Sequence, residues 1–196
     1  MACAFLSSAL EKNVALRKLD LSNNMIGNPG IEALSRGLKA NRCLQTLFLS
    51  SNQIGDGGCI FISELLQQNS TLEKLFLSNN KIGERGSAQI ACGLAYNQTL
   101  LDLWLSSNNI GDKGCAFLAQ ALRLNRSLRR LHLHHNRIEL DGFKLLADAL
   151  EHNYSLVALE IQYLTLEIKT FLQRNLNISC EKKSRYLQIV GLLAKV

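Results

Sequence analysis

Residues 44 to 71 read LQTLFLSSNQIGDGGCIFISELLQQNST, and the same 28-residue pattern recurs before and after them. Within the unit, Leu stands at positions 1, 4 and 6, Asn at 9, Ile at 11, Gly at 15 and a second Asn at 26. The copies begin at Leu16, Leu44, Leu72, Leu100, Leu128 and Leu156. An internal period of this length is typical of a solenoid, in which each unit buries its apolar side only against its neighbours.

Each unit combines two periodicities. In residues 46–50 the alternation has period two, which predicts a short strand with Leu47 and Leu49 facing inward. After Gly58 the apolar residues recur at helical spacing and predict an amphipathic helix. Parallel strands stack about 4.8 Å apart, whereas helices need about 8 to 10 Å. The array should therefore curve, with the strands on its concave face.

The position-9 asparagines follow the strands, where the chain turns. Their amides are predicted to bond main-chain groups that the turn would otherwise leave unpaired in the interior. These residues are Asn24, Asn52, Asn80, Asn108 and Asn136.

The spacing LxxLxLxxNxI, followed by a helical half of this length, resembles the ribonuclease-inhibitor-type leucine-rich repeat, which also occurs in NOD-like receptors and Ran GTPase-activating proteins. The resemblance extends from about residue 1 to about residue 177. It implies an α/β horseshoe, with parallel strands on the concave face and helices on the convex face. This scaffold serves many unrelated partners, so the resemblance is far more specific for fold than for function.

The pattern predicts one domain over residues 1–196. Its parts are an N-terminal half repeat (1–15), five regular repeats (16–155), a degenerate capping repeat (156–183) and a C-terminal tail (184–196). In the last repeat Leu164 replaces the position-9 Asn, and the apolar stretch 186–193 is interpreted as a flap over that unit. At the other end, Phe5, Leu6 and Leu10 are expected to pack only on the following unit. That end is the predicted site of any self-association.

Several features favour a cytoplasmic protein. No apolar run reaches the roughly 18 residues of a membrane span, and residues 1–13 align with 114–125, so they are interpreted as repeat and not as a signal peptide. Of six cysteines, Cys3, Cys59 and Cys115 occupy one helical slot in alternate units. Neighbours in that slot should be roughly 20 Å apart by helix spacing, beyond the roughly 7 Å reach of a disulfide. We interpret the cysteines as reduced thiols.

Four N-x-S/T matches result from the repeat. The unit places Asn at the end of its helix, where Asn is expected to accept a left-handed backbone, and places Ser or Thr two residues later. We therefore prefer this structural interpretation to glycosylation. The four residues are Asn69, Asn97, Asn125 and Asn153.

The residues that the repeat does not dictate carry the functional information. Position 5 points outward on the concave sheet and holds four rings on adjacent strands: Phe48, Phe76, Trp104 and His132. Aromatic residues also favour strands for their own sake, but an exposed row with polar flanks is typical of an interface. Trp104, near the middle of the row, is expected to be exposed and to contribute most to binding.

The fifth repeat gives the row a polar end. His132 and His134 share a face, Arg130 stands beside them, and Glu160 is expected next to His132 on the following strand. The favoured interpretation is the polar, pH-sensitive end of a binding face. The alternative is a metal site with two His ligands and one Glu.

Charge favours a protein partner. The segment 123–137 has five arginines and no acidic residue, and the formal net charge of the chain is +6. Such a ridge suits an acidic protein or a nucleic acid. No nucleic-acid-binding motif accompanies it, so a nucleic acid is the less favoured partner.

These observations predict a non-catalytic module that binds a protein on its concave face, as an adaptor, an inhibitor or a ligand-sensing repeat domain, with no cofactor and no catalytic residue. The alternative, implied by the resemblance, is a GTPase activator of the Ran-directed type. Arg85 or Arg137, on strand-to-helix loops, would then stabilise phosphoryl transfer. Both arginines are also readily explained as solvated charges. The acidic tail of that family is replaced by EKKSR at 181–185.

Overall fold

The computed structural model describes residues 2–162 and 166–193, with side chains described up to residue 179. Helices and strands alternate throughout. The helices are α1 (Ala2–Lys12), α2 (Gly27–Ala40), α3 (Asp56–Gln68), α4 (Glu84–Tyr96), α5 (Gly111–Leu124), α6 (Leu140–Glu151) and α7 (Leu166–Leu193). The strands are β1 (Lys18–Asp20), β2 (Thr46–Phe48), β3 (Lys74–Phe76), β4 (Asp102–Trp104), β5 (Arg130–His132) and β6 (Ala158–Glu160). No helix in the described part is both long and apolar enough to cross a membrane.

The six strands form one parallel sheet in sequence order. Each strand pairs with the next at an offset of one repeat, so that Leu47 lies beside Leu19 on one side and Leu75 on the other. Every residue of a strand thus stands in a row of equivalent residues. The predicted α/β solenoid is confirmed.

The core fills the layer between the sheet and the helices. Leu47, Leu75 and Leu103, the middle residues of three strands, are all fully buried, as are helix residues such as Ile62 and Leu94. Each strand contributes only its middle side chain to this core, since its first and third residues face the concave side.

The position-9 asparagines form the predicted ladder. Asn108 donates its Nδ2 hydrogens to the carbonyls of Leu77 and Leu105, at 3.0 and 2.9 Å, and its Oδ1 accepts the Ile82 N–H at 3.0 Å. Asn80 makes the equivalent bonds one repeat earlier. Each Asn therefore ties its own strand to the preceding repeat.

The position-26 asparagines form a second ladder. The prediction that they adopt a left-handed backbone conformation is wrong. Asn125 has φ −68° and ψ 136°, an extended backbone. Its Nδ2 donates to the carbonyls of Leu94 and Asn97, both at 2.8 Å, and its Oδ1 accepts the N–H groups of Ser127 and Leu128. The same residues that match N-x-S/T are buried in this ladder.

The second ladder is closed at the C-terminal end by α7. Asn175 is fully buried and donates to the carbonyls of Asn153 and Leu156 at 2.9 and 2.7 Å. Its neighbour Arg174 donates to the carbonyls of Leu150 and Asn153, both at 2.8 Å. Two side chains thus bond carbonyls that a further repeat would otherwise cover. Helix α7 runs through the predicted boundary at residue 183. Leu164 and the side chains of the proposed flap lie outside the described residues.

The N-terminal helix behaves only partly as expected. Leu10 is buried and Leu6 is half-buried against α2, but Phe5 is 74 % exposed, so its expected packing on the following unit is wrong. Phe5 occupies the helix position of Phe61 and Phe117, which also lie at the convex surface.

The five cysteines with described side chains are all free thiols. Burial, reinforced by the nearby carboxylates of Asp56 and Asp112 respectively, raises the pKa of Cys59 and of Cys115 to about 12. Cys92, by contrast, lies exposed on α4. The interior thiols are therefore protonated packing residues.

Candidate protein-binding site

The concave face is made of three rows of side chains that cross the strands. The first residue of each strand supplies one row, the third residue supplies a second, and the residue two places beyond the strand supplies the third. We call these the charged row, the ring column and the polar row. Register places equivalent residues side by side, as for Phe76 and Trp104.

The ring column is one continuous stack. The ring centroids of Phe48 and Phe76 are 4.3 Å apart with planes inclined at 18°, and those of Phe76 and Trp104 are 5.1 Å apart at 32°. Trp104 and His132 are closest, at 3.6 Å and 16°. The strand spacing brings rings on adjacent strands to stacking distance. The four rings predicted from the sequence are thus brought together.

Two details of that prediction are wrong. Trp104 is half-buried, since rings cover both its faces, and His132 is only 3 % exposed. The column therefore presents ring edges to the concave side, and its histidine lies beneath the surface. Strand alternation predicted which way the side chains point. It did not predict that neighbouring rings would cover one another.

Glu160 closes the column at its C-terminal end. Its Oε2 lies 2.9 Å from Nδ1 of His132 and 3.8 Å from Nε2 of His134. The 2.9 Å approach is short, yet in the described part neither ring nitrogen of His132 has an aligned hydrogen bond. The contact is therefore an electrostatic approach off the N–H direction. The predicted adjacency of these three residues is confirmed.

The same cluster carries the metal hypothesis. Among the described residues, no group of three His, Cys, Asp or Glu side chains has an arrangement that could hold a metal ion. Glu160 approaches both histidines, but the rings of His132 and His134 differ in burial: the first is buried and the second is half-exposed. The geometry supports a polar end of the column in preference to a ligand set.

The charged row contains a feature that the sequence reasoning missed. Arg130 makes a bidentate contact with Asp102, with Nε–Oδ1 and Nη2–Oδ2 distances both 2.7 Å. Lys74 lies 3.9 Å from the same carboxylate on the other side. The hydrogen bond to Asp102 raises the pKa of Arg130 above its ordinary value. The signal was available, because Lys, Asp and Arg stand at one unit position in successive repeats.

This row presents positive charge to the concave side. The Asp102 side chain is 4 % exposed, whereas those of Arg130 and Lys74 are 50 % and 41 % exposed. The carboxylate thus lies underneath two cations. A partner meets the cations first, which suits an acidic surface.

The structure also shows where other arginines of the 123–137 segment lie, together with Arg85. Arg123 pairs with Asp148 at 2.6 Å on the helix side, and Arg129 donates to the Ser155 carbonyl at 3.2 Å. Arg85 is the second residue of α4, so the prediction that it lies on a strand-to-helix loop is wrong, whereas Arg137 does lie in the loop before α6. Both are exposed.

The chain belongs to the leucine-rich repeat family. A family model described as "Leucine Rich repeat" matches residues 12–35, 40–63, 68–88, 96–119 and 124–147, which is more than half of the chain. A sequence comparison with curated proteins finds no match.

Two solved structures show the same fold over nearly the whole length. "Leiomodin-1 Actin-Binding Site 2 (ABS2)" is 17 % identical, with a TM-score of 0.64, and the match covers 96 % of each chain. The tropomodulin C-terminal domain of Caenorhabditis elegans is 14 % identical, with a TM-score of 0.61, over 93 % of this chain and 96 % of that one. At these identities the likeness concerns the fold.

Proposed function

We propose that this chain is a non-catalytic protein-binding module whose partner lies on the concave face. The observation that carries the proposal is the ring column, a stack of four rings on four adjacent strands with cations on one flank. The repeat requires only the inward residues of these strands. The concave residues are free to vary, and here they combine apolar ring edges with paired charges, as hot spots of protein interfaces do.

The partner that suits this face is an acidic protein segment with apolar side chains. Its acidic groups would meet the exposed ends of Lys74 and Arg130, while its apolar groups would pack on the edges of Phe48, Phe76 and Trp104. Because Arg130 is already held by Asp102, little side-chain freedom is lost when it binds a second carboxylate.

The unit length and helical second half support the ribonuclease-inhibitor type of repeat. Within that type we propose an adaptor, an inhibitor or a ligand-sensing domain that works in the cytoplasm, where the free thiols of the described cysteines would stay reduced. The leiomodin-1 structure is described as an actin-binding site. Actin is therefore the first specific partner to assay, alongside capture of partners from cytosol.

The test compares matched double variants. Phe76→Ala with Trp104→Ala removes the middle of the column, and Tyr96→Ala with Phe117→Ala removes two aromatic side chains from the convex helices. Capture of the partner should fail with the first pair and persist with the second, at a temperature where circular dichroism shows all proteins folded. Capture that survives the concave pair and is lost with the convex pair would contradict the proposal.

A further inference from the structure

A cleft lies at the edge of the solenoid where the chain passes from helix to strand, outside the concave face. Its volume is about 430 Å³, and it is formed by the loops that follow α4 and α5. Two arginines line it: Arg126 comes shortly after α5, and Arg129 comes directly before β5. Both side chains are exposed. The cleft is therefore open to a ligand from solvent.

The charges of these two arginines are not neutralised. No Asp or Glu lines the cleft, and neither arginine forms an ion pair with any residue that the structure describes. Other arginines nearby are paired, since Arg123 contacts Asp148 and Arg130 contacts Asp102. The cleft thus holds two unpaired positive charges.

Each guanidinium is held in place by one main-chain carbonyl. Nη1 of Arg126 donates to the carbonyl of Asn125 at 3.3 Å, and Nη1 of Arg129 donates to that of Ser155 at 3.2 Å. The other guanidinium nitrogens have no partner within the described part of the chain. A guanidinium presents its N–H donors in a planar fork that fits two oxygens of a phosphate. Side chains that are already held lose little freedom when they bind an anion.

The repeat does not require this charge. Gln98 and Leu101 occupy the two equivalent unit positions in the preceding loop. A second cleft at the same edge, of about 410 Å³, is lined by one arginine, Arg17, and one acidic residue, Glu73. Its two charges balance. The doubly positive cleft is therefore a feature of the loop at 125–129 and not of the edge in general.

The ends of α4 and α5 act against an anion here, because the last carbonyls of a helix carry roughly half a negative elementary charge. Part of this charge is already compensated, since Asn125 donates to the carbonyls of Leu94 and Asn97. Two full positive charges exceed two partial negative ones. The cleft therefore attracts anions.

Apolar side chains supply the walls. Leu101 is half-exposed in the cleft, and Leu124, which is 67 % exposed, lines both this cleft and an apolar groove between α4 and α5. A small inorganic anion would leave these walls in contact with water. A ligand with an apolar ring below its anionic group would cover them, which is favourable.

We propose that this cleft binds a phosphotyrosine side chain of another protein. The phosphate would accept hydrogen bonds from Arg126 and Arg129, and its charge of nearly −2 at neutral pH matches their two positive charges. The ring would pack on Leu101 and Leu124. A carboxylate has only half of that charge, and phosphoserine has no ring to cover the walls.

The probe is a fluorescent peptide in which one phosphotyrosine lies between two leucines. Its binding to the whole chain is followed by anisotropy, and NMR shifts of the backbone amides locate the site. Three comparison ligands are used: the unphosphorylated peptide, the same peptide with phosphoserine, and adenosine monophosphate, which carries its phosphate on a nucleoside.

The test variant combines Arg126→Gln with Arg129→Gln. The matched control combines Arg42→Gln with Arg17→Gln, which replaces exposed arginines at the same two unit positions and lowers the net charge equally. The test variant should weaken binding of the probe at least about tenfold, because charged hydrogen bonds are lost. The control should change it less than about twofold, since distant surface charges are screened by salt. Circular dichroism checks that both variants are folded.

The probe should bind saturably at one site and shift the amides of residues 95–101 and 124–129. Phosphoserine should bind more weakly, and the unphosphorylated peptide more weakly still. Phe76→Ala with Trp104→Ala should leave binding of the probe unchanged, so a failure of this inference is distinguishable from a failure of the concave-face proposal.

Four results would overturn the proposal. The first is the absence of saturable binding of the probe at millimolar concentration. The second is equal affinity for the phosphorylated and unphosphorylated peptides. The third is a loss with the Arg17 and Arg42 control as large as that with the test variant. The fourth is tighter binding of adenosine monophosphate than of the probe, which would make a nucleotide the ligand.

Discussion

The asparagine ladder and the ring column lie beside the same strands, yet they are built on opposite principles. The ladder repeats one residue with one set of bonds, as at Asn80 and Asn108. The column changes from Phe to Trp to His across adjacent strands, and its members contact chiefly one another. Positions that hold the fold are therefore uniform. Positions that face the concave side are free to recognise a partner. Substitutions in the two regions should separate stability from binding.

The largest loss of stability is expected from Asn108→Ala. This change leaves the buried N–H of Ile82 without its acceptor and removes one of the two amide donors from each of the carbonyls of Leu77 and Leu105, which keep their bonds to Asn80 and Asn136. We therefore expect the free energy of unfolding to fall by about 2 to 3 kcal/mol. Urea unfolding followed by circular dichroism measures the difference. Asn109→Ala, one residue further along on the surface, is the control and should stay within about 0.5 kcal/mol of the parent.

A smaller loss is expected from Asn175→Ala at the end of the second ladder. The carbonyl of Leu156 loses its donor, but Arg174 continues to bond the carbonyl of Asn153, so the cost should be about 1 to 2 kcal/mol. Hydrogen exchange should localise the change to α7 and β6. Equal loss of protection in α2 and α3 would show that the end cap acts on the whole solenoid.

Trp104→Ala should cost less again, about 1 to 2 kcal/mol at most, since it removes stacking with Phe76 and His132 from a half-buried site. The control is Tyr96→Ala on the convex helix face, where the side chain is 72 % exposed and the cost should be near zero. Thermal unfolding by circular dichroism compares the two. A Trp104→Ala loss as large as that of Asn108→Ala would mean that the column is part of the structural core.

The buried thiols are expected to have the smallest effect on stability at neutral pH, and their burial is tested by their reactivity. Since burial raises the pKa of Cys59 and Cys115 to about 12, neither should react with a thiol reagent at pH 8 while the chain is folded, whereas exposed Cys92 should react at once. Cys92→Ser provides the control.

The raised thiol pKa also makes stability depend on pH. The contribution of the buried thiol to the free energy of unfolding is complete below the ordinary thiol pKa near 9 and is lost as pH rises toward 12. Unfolding temperature should therefore fall over that interval.

Most of the fold could be predicted from the repeat, because one unit specifies the strand, the turn, the helix and their offset. The second ladder could not. An Asn at a helix end is compatible with a left-handed cap, and the sequence alone does not show that Asn97 and Asn125 instead have extended backbones, each bonding the preceding repeat. Phe5 was misplaced because its unit position lies on the convex surface and not in the core.

The candidate site was predicted less completely. Alternation indicated which residues face the concave side, and the register then placed Phe48, Phe76 and Trp104 in one row. Side-chain contact across strands decided the rest. The stack hides His132, and the pairing with Arg130 hides Asp102. Comparing charges at one unit position in successive repeats would have revealed that pair.

The most direct test of the concave-face proposal is partner affinity, measured by isothermal titration calorimetry for Trp104→Ala and Tyr96→Ala at a temperature where both are folded. Concave binding predicts a loss of roughly 30- to 1000-fold for Trp104→Ala and less than about twofold for Tyr96→Ala. The contradicting result is the reverse order, with affinity retained by Trp104→Ala and lost with Tyr96→Ala.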